Sequence, residues 1–205
     1  SLKDNNGSGL FADGTATILT ISEVWVSSMK PNGEDLPGYG VLALDGASVS
    51  VSRSRVSDNH SAGLFADGTG TILTASEVWV LGTKPNGEGV GGVGVLARSG
   101  ASVSVSRSRV SDNHSAGLFA NGTGTILTAS EVWVSDTQLN GEGFGGGYGV
   151  RAASGASVSV TRSRVSANHV IGLVATGTGT SLTASEVWVS GTQLDGEGFG
   201  GLGVL

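Results

Sequence analysis

The stretch "GLFADGTGTILTASEVWV" (Gly63–Val80) decides the reading of this chain, because a looser copy of it follows as "GVLARSGASVSVSRSRV" (Gly94–Val110). Laid over one another, the two put Gly70 on Gly100, Leu73 on Val103, Ala75 on Val105 and Val80 on Val110. The leading glycines of such units are Gly9, Gly40, Gly63, Gly94, Gly117, Gly149, Gly172 and Gly203, spaced by 31, 23, 31, 23, 32, 23 and 31 residues. A unit of 23 residues therefore alternates with one of 31 or 32. The longer one carries an insertion of the "KPNGEGVGG" type.

"ASVSVSRSRV" alternates at period two, the pattern of a strand facing two environments. No helical stripe fits these units, and Ala/Leu/Glu/Lys-rich sequence to support one is scarce. Short strands with Gly, Asn and Asp corners, in units of about 20 to 30 residues, predict the coils of a parallel β-solenoid. One coil cannot bury its own apolar face, whereas stacked coils make a continuous core. A propeller would need about 40 to 45 residues and four antiparallel strands per blade. The expected architecture is all-β, about seven coils alternating 23 and 31 residues, in a single repeat domain over residues 1–205.

Composition agrees and narrows the function. Glycine reaches 36 of 205 residues without a Gly-X-Y period, which excludes collagen. A net charge of −6 with no basic cluster argues against a nucleic-acid partner. No 18-residue apolar run suggests a membrane span, and no basic-then-apolar start suggests a signal peptide. The chain has no cysteine, so disulfides and thiolate metal sites are excluded.

All four tryptophans sit in the recurring motif at Trp25, Trp79, Trp133 and Trp188, each two residues after a glutamate. Stacking equivalent positions at the strand spacing of about 4.8 Å gives one outward column of Glu23, Arg53, Glu77, Arg107, Glu131, Arg162 and Glu186. Beside it runs a second, of Trp25, Arg55, Trp79, Arg109, Trp133, Arg164 and Trp188. Opposite charges on neighbouring strands contribute roughly 0.2–1 kcal/mol per pair, and like charges repel. Guanidinium over an exposed indole adds about 0.5–1 kcal/mol. Both columns therefore read as a structural ladder that holds coils in register; the rival reading is a sugar-binding aromatic strip with basic anchors.

Other recurring residues suit corners and loops. Asn5, Asn59, Asn113 and Asn168 end the arginine strands, where asparagine tolerates a left-handed conformation and bonds nearby backbone. His60, His114 and His169 follow them about 9.6 Å apart, two rungs, too far to share one zinc at about 2.1 Å per ligand. The insertions place Glu34, Glu88, Glu142 and Glu197 after Asn-Gly or Asp-Gly turns, a possible acidic ligand-loop row along one edge. Calcium is the cofactor such a row could take, but each loop offers only one or two acids and the calcium-binding G-G-x-G-x-D repeat is not matched; no other cofactor is indicated. Threonine pairs (Thr15/Thr17, Thr69/Thr71, Thr123/Thr125, Thr178/Thr180) resemble ice-binding arrays, interrupted at every second rung.

On these features, and on the coil pattern "GVLARSGASVSVSRSRVSDN" in particular, essentially the whole chain resembles the right-handed parallel β-helix family, the pectate-lyase-like superfold. "GTGTILTASEVWVSDTQLNGEGFGGGYGV" is also similar to repeats of large secreted or surface β-helix proteins of bacteria, which implies an extracellular or cell-surface setting. The enzymes of the superfold, mostly polysaccharide lyases and hydrolases, imply clustered acids, or a base with calcium, on one face. A catalytic site is one place and should break the repeat. The departures noted (Met29 and Lys30, Asp35 to Tyr39, Asp45, Arg151, Val170 and Ile171) do not pair acids with a base, so no catalytic residue transfers.

The expected function is a non-enzymatic stalk, filament segment or adhesin, with a carbohydrate-active or glycan-binding module as the alternative. Expected partners are neighbouring repeats or further copies of the chain, and a cell-surface glycan or protein. Neither end shows a distinct polar cap, so the two-coil alternation is expected to continue beyond both. Inward positions are expected at Leu73, Ala75, Val78 and Val80 and at Val103, Val105, Ser108 and Val110, with a bend near Ser76 where the alternation slips phase.

Overall fold

A computed structural model gives the structure, described for residues 1–31, 37–86, 91–140, 146–194, 198 and 200–205. Each coil contributes one strand to each of three parallel sheets. Around one coil these are Ala62–Asp67, Ile72–Ser76 and Trp79–Leu81. Their equivalents stack into a glycine-led sheet of eight strands, a hydroxyl-faced sheet of seven and a ladder sheet of eight, about seven turns in all. Every pairing within the sheets is parallel, and each strand bonds its equivalent one coil before and after.

Register is set by the alternation of faces, because a one-residue slip would turn every apolar side chain outward. Val103 pairs with Leu73 and Leu127, and Val105 with Ala75 and Ala129. These tryptophan coils thus place Leu with Ala where arginine coils place Val with Val, so successive coils fill similar volumes. All eight positions expected inside are buried, including Ser108. Ser108 Oγ donates to Ser106 O at 2.7 Å and accepts from Val78 N at 2.9 Å, so the polar atom inside the bend is satisfied on both sides.

The bend lies one residue beyond Ser76, at Glu77 itself, whose φ is 58°. Arg53, Arg107 and Arg162 take φ values of 43–45° at the same place, and Glu23, Glu131 and Glu186 values of 55–58°. A left-handed conformation at a side-chain-bearing residue is uncommon. Each bent residue up to Arg162 donates its backbone N–H to the next coil, as in Glu77 N to Ser106 O at 3.0 Å and Arg107 N to Ser130 O at 3.0 Å, so stacking holds the conformation.

The leading glycines have a different cause. At Gly94 a Cβ would fall 2.6 Å from Val110 Cγ1 and 2.7 Å from the carbonyl oxygen of Gly117, so the ladder and glycine-led sheets meet there with no room for a side chain. The insertions leave after the tryptophan strands and close on antiparallel bridges, Pro85 with Gly91, Leu139 with Gly146 and Leu194 with Gly200. Among the described residues, no helix is long and apolar enough to cross a membrane.

The corner asparagines stand differently from the expectation. Asp58, Asp112 and Ala167, each one residue earlier, take the left-handed conformation. Asn59, Asn113 and Asn168 are fully buried, and their amide oxygens accept the backbone N–H of Met29, Thr83 and Thr137 on the preceding coil at 3.0–3.1 Å. A buried backbone donor needs a partner, and the amide reaches across one rung to supply it. Thr71, Thr125 and Thr180 are corner latches of the same kind: each hydroxyl accepts from a glycine N–H one coil back and donates to the carbonyl four residues back.

Candidate functional site

The ladder sheet turns its two columns outward. Trp79 pairs in register with Arg55 and Arg109, and Trp133 with Arg109 and Arg164; Trp25 pairs with Arg55 and Trp188 with Arg164. One bend earlier, Arg53 meets Glu23 at 3.2 Å, Arg107 meets Glu77 at 3.4 Å and Arg162 meets Glu131 at 3.4 Å. In each pair the arginine reaches back to the preceding coil. The second donor selects that side, since Arg53, Arg107 and Arg162 also bond the hydroxyls of Ser22, Ser76 and Ser130, all on the preceding coil. No ion pair from these arginines to the following glutamate occurs among the described residues, and Glu186 has no arginine ion pair there. The charged column is a set of dyads rather than an unbroken chain.

The aromatic column is also uneven. Arg55 and Lys3 cover the Trp25 ring at 5.4 and 4.0 Å, and Arg109 and Arg164 cover Trp133 at 4.6 and 5.5 Å. Neither Trp79 nor Trp188 carries a cation over its ring among the described residues. The indole N–H groups of Trp25 and Trp133 donate to Ser57 and Ser166 on the next coil. At Trp79 the equivalent hydroxyl, Ser111, is taken: it accepts from Arg109 Nε at 3.1 Å and donates to Asp112 at 2.8 Å. Between successive indoles the arginine coils leave notches of about 440 and 450 Å³, floored by Ser54 and Ser108.

A second feature escaped the repeat-based reading. On the outside of the glycine-led sheet one column runs Asp13, Leu44, Asp67, Arg98, Asn121, Ala153 and Thr176, without repetition. Arg98 bonds Asp67 at 2.9 Å and lies 5.3 Å from the centre of the Phe65 ring, which itself packs on Tyr39. Burial pushes the Asp67 carboxyl up, but hydrogen bonds from Ser99 and Arg98 and the Arg98 charge outweigh it and hold Asp67 below the usual value. Burial raises the Tyr39 hydroxyl, with Arg98 opposing. Next to this cluster a groove of about 340 Å³ is lined by Leu96, Arg98, Phe119, Asn121 and Asn140. The signal was in the sequence, since this column nowhere alternates, but it shows only once coils are compared position by position.

The recurring histidines bond backbone at the corners. Each histidine Nδ1 lies 3.0–3.1 Å from a carbonyl oxygen of the preceding coil, at Met29, Thr83 and Thr137. Among the described residues no group of three His, Cys, Asp or Glu side chains could hold a metal ion. Glu34, Glu88, Glu142 and Glu197 lie outside the described residues.

A family model described as a right-handed β-helix region matches residues 8–194. No curated protein and no solved structure matches the chain.

Proposed function

We propose that this chain, which belongs to the right-handed β-helix family, serves as a rigid, non-catalytic segment of an extracellular or cell-surface protein, as a stalk, filament segment or adhesin. One observation carries the reading: core, corner and ladder positions repeat in register along the whole stack. A catalytic constellation converges at one place, whereas an in-register rod presents the same surface again and again and gains stiffness from each nearest-neighbour interface. The Glu/Arg and Trp/Arg columns serve that role by opposing register slips, and copies of the chain or surface molecules are the partners of such a rod. Screening acidic and neutral polysaccharides for cleavage and binding tests the reading. Neither product release nor tight binding is expected, and reproducible product release defeats it. Surface proteolysis of intact cells checks the location.

A second reading, a carbohydrate-active or glycan-binding module, is favoured by the groove at Arg98 and Phe119, because that groove breaks the repeat. Under it, Arg98→Ala abolishes retention on a polysaccharide column while leaving the fold intact.

A further inference from the structure

The ladder face carries more exposed aromatic surface than a strut needs. Trp25, Trp79, Trp133 and Trp188 are 44, 55, 41 and 69% exposed, on one side of the molecule. A buried aromatic side chain covers roughly 150–250 Å², so the four indoles offer roughly 300–500 Å² per copy. The same face holds six arginines against four glutamates, although the chain as a whole is acidic. Clustered apolar surface rimmed by charge marks an interaction site.

Its relief and its charge share one period. Indoles stand out at every second coil, and the coils between them leave the notches floored by Ser54 and Ser108. Ridges therefore repeat about every 9.6 Å, two rungs of the stack. Glutamates lie on the ridge coils and arginines on the notch coils. A surface of this kind is complementary to itself once shifted by one coil. Ridges then enter notches, each glutamate meets an arginine, and each indole meets a guanidinium.

We propose that the ladder face is a self-recognition surface, on which two copies of this chain pair face to face and antiparallel, offset so that within the overlap tryptophan coils meet arginine coils. The symmetry follows from the two columns. A two-fold axis lying in the interface, across the coils, sets the Glu/Arg column against its own counterpart and the Trp/Arg column against its own. With the axis midway between two successive coils, opposite partners meet along the whole overlap. An axis parallel to the solenoid would instead set the charged column against the aromatic one. The contact closes on itself as an isologous pair. Trp79 and Trp188, whose rings carry no cation of their own chain among the described residues, are free to take a guanidinium from the other copy. With the arginine stems added, the area approaches the roughly 1,200 Å² at which stable interfaces begin.

The inference rests on the structural reading of the same face, and its test is separate from the polysaccharide screen. Sedimentation equilibrium of the chain over a wide concentration range, at low and high salt, reads the association directly. A dimer is expected, weakened by salt. Trp79→Ala with Trp133→Ala should weaken it by at least about tenfold, with the chain still folded and melting cooperatively. Thr74→Ala with Thr128→Ala, on the hydroxyl-faced sheet, should leave it unchanged. Small-angle scattering should show a dimer little longer than the monomer and about twice as thick. A folded monomer at every concentration, a dimer indifferent to the tryptophan pair, or a particle of doubled length overturns the proposal. So does a chain that stays monomeric and is retained on a polysaccharide through Trp79. The rod reading survives each of these results; only product release in the polysaccharide screen defeats it.

Discussion

Asn113 and Arg107 lie six residues apart in one coil, recur with the same two-coil period and both reach back to the coil before them. Asn113 is fully buried, accepts Thr83 N at 3.0 Å and donates to Val80 O at 3.3 Å. The Arg107 side chain is 56% exposed, and water competes for its bonds to Glu77 and Ser76. Leaving a buried backbone donor without its acceptor costs about 1–3 kcal/mol, whereas an exposed ion pair contributes about 0.2–1 kcal/mol. A repeat advertises the outer column through its alternating charge, yet the stabilisation lies with the inner one. The inner column has its own cost: the amide nitrogens of Asn59 and Asn168 and the hydroxyls of Thr83 and Thr137 are buried without a partner among the described residues.

The largest expected effect comes where the inner column meets the sheet junction. In Gly94→Ala the new methyl would press on Val110, on the Gly117 carbonyl and on Asn113 Nδ2, two of them at 2.7–2.8 Å and none free to move without shifting the stack. A loss of at least about 3 kcal/mol is expected by chemical denaturation. A loss below about 1 kcal/mol would show that the junction yields and that Asn113 is not held tightly.

Asn113→Ala comes next. It strips the acceptor from Thr83 N and leaves Val80 O without that donor, so about 2–4 kcal/mol is expected. Hydrogen exchange should show Thr83 N–H losing protection ahead of its neighbours. If that amide stays protected, the side-chain bond is dispensable.

The outer column sharpens the contrast. Arg107→Glu sets three acids in line from Glu77 to Glu131 and should destabilise by about 1 kcal/mol in low salt. Arg107→Ala should cost only a few tenths, near the lower end for an exposed pair at about 0.2 kcal/mol. Both replacements inherit a φ of 44°, so backbone strain cancels between them. Thermal melts that rank them the other way, or that ignore salt, would remove the charge ladder from the account.

The smallest effect is a pH dependence confined to the groove cluster. Asp67 is held below the ordinary aspartate value of 3.8, so its contribution is complete above that pH and is lost as pH falls through the lower folded-state value. Arg98→Ala should remove that contribution at neutral pH and flatten the acid limb of a stability–pH curve, leaving stability below the folded-state value nearly unchanged. An identical acid limb would show that the Arg98 contact does not set the Asp67 proton affinity.

Much of this architecture could be read without coordinates. Leading glycines gave the coil lengths, Leu73 over Val103 gave the core, and Glu77 beside Arg107 gave the outward columns. Three features could not be read this way, each for a physical reason. Ion pairs run only backward because a serine hydroxyl on the preceding coil takes the second guanidinium donor. The asparagines are buried because a corner N–H one coil away needs an acceptor, a demand that arises only when coils stack. Arg98 and Phe119 share a groove because the register brings together positions that carry no common pattern.

What the sequence determined by itself is the stack. A period of two within strands and of two coils along the chain leaves one register in which apolar faces meet and opposite charges adjoin. Only the tertiary structure decided that the repeated asparagines lie inside, and that the bends fall on charged residues in a left-handed conformation. Sequence periodicity specifies which residues become neighbours, whereas the consequence of each contact depends on how far stacking excludes water from it.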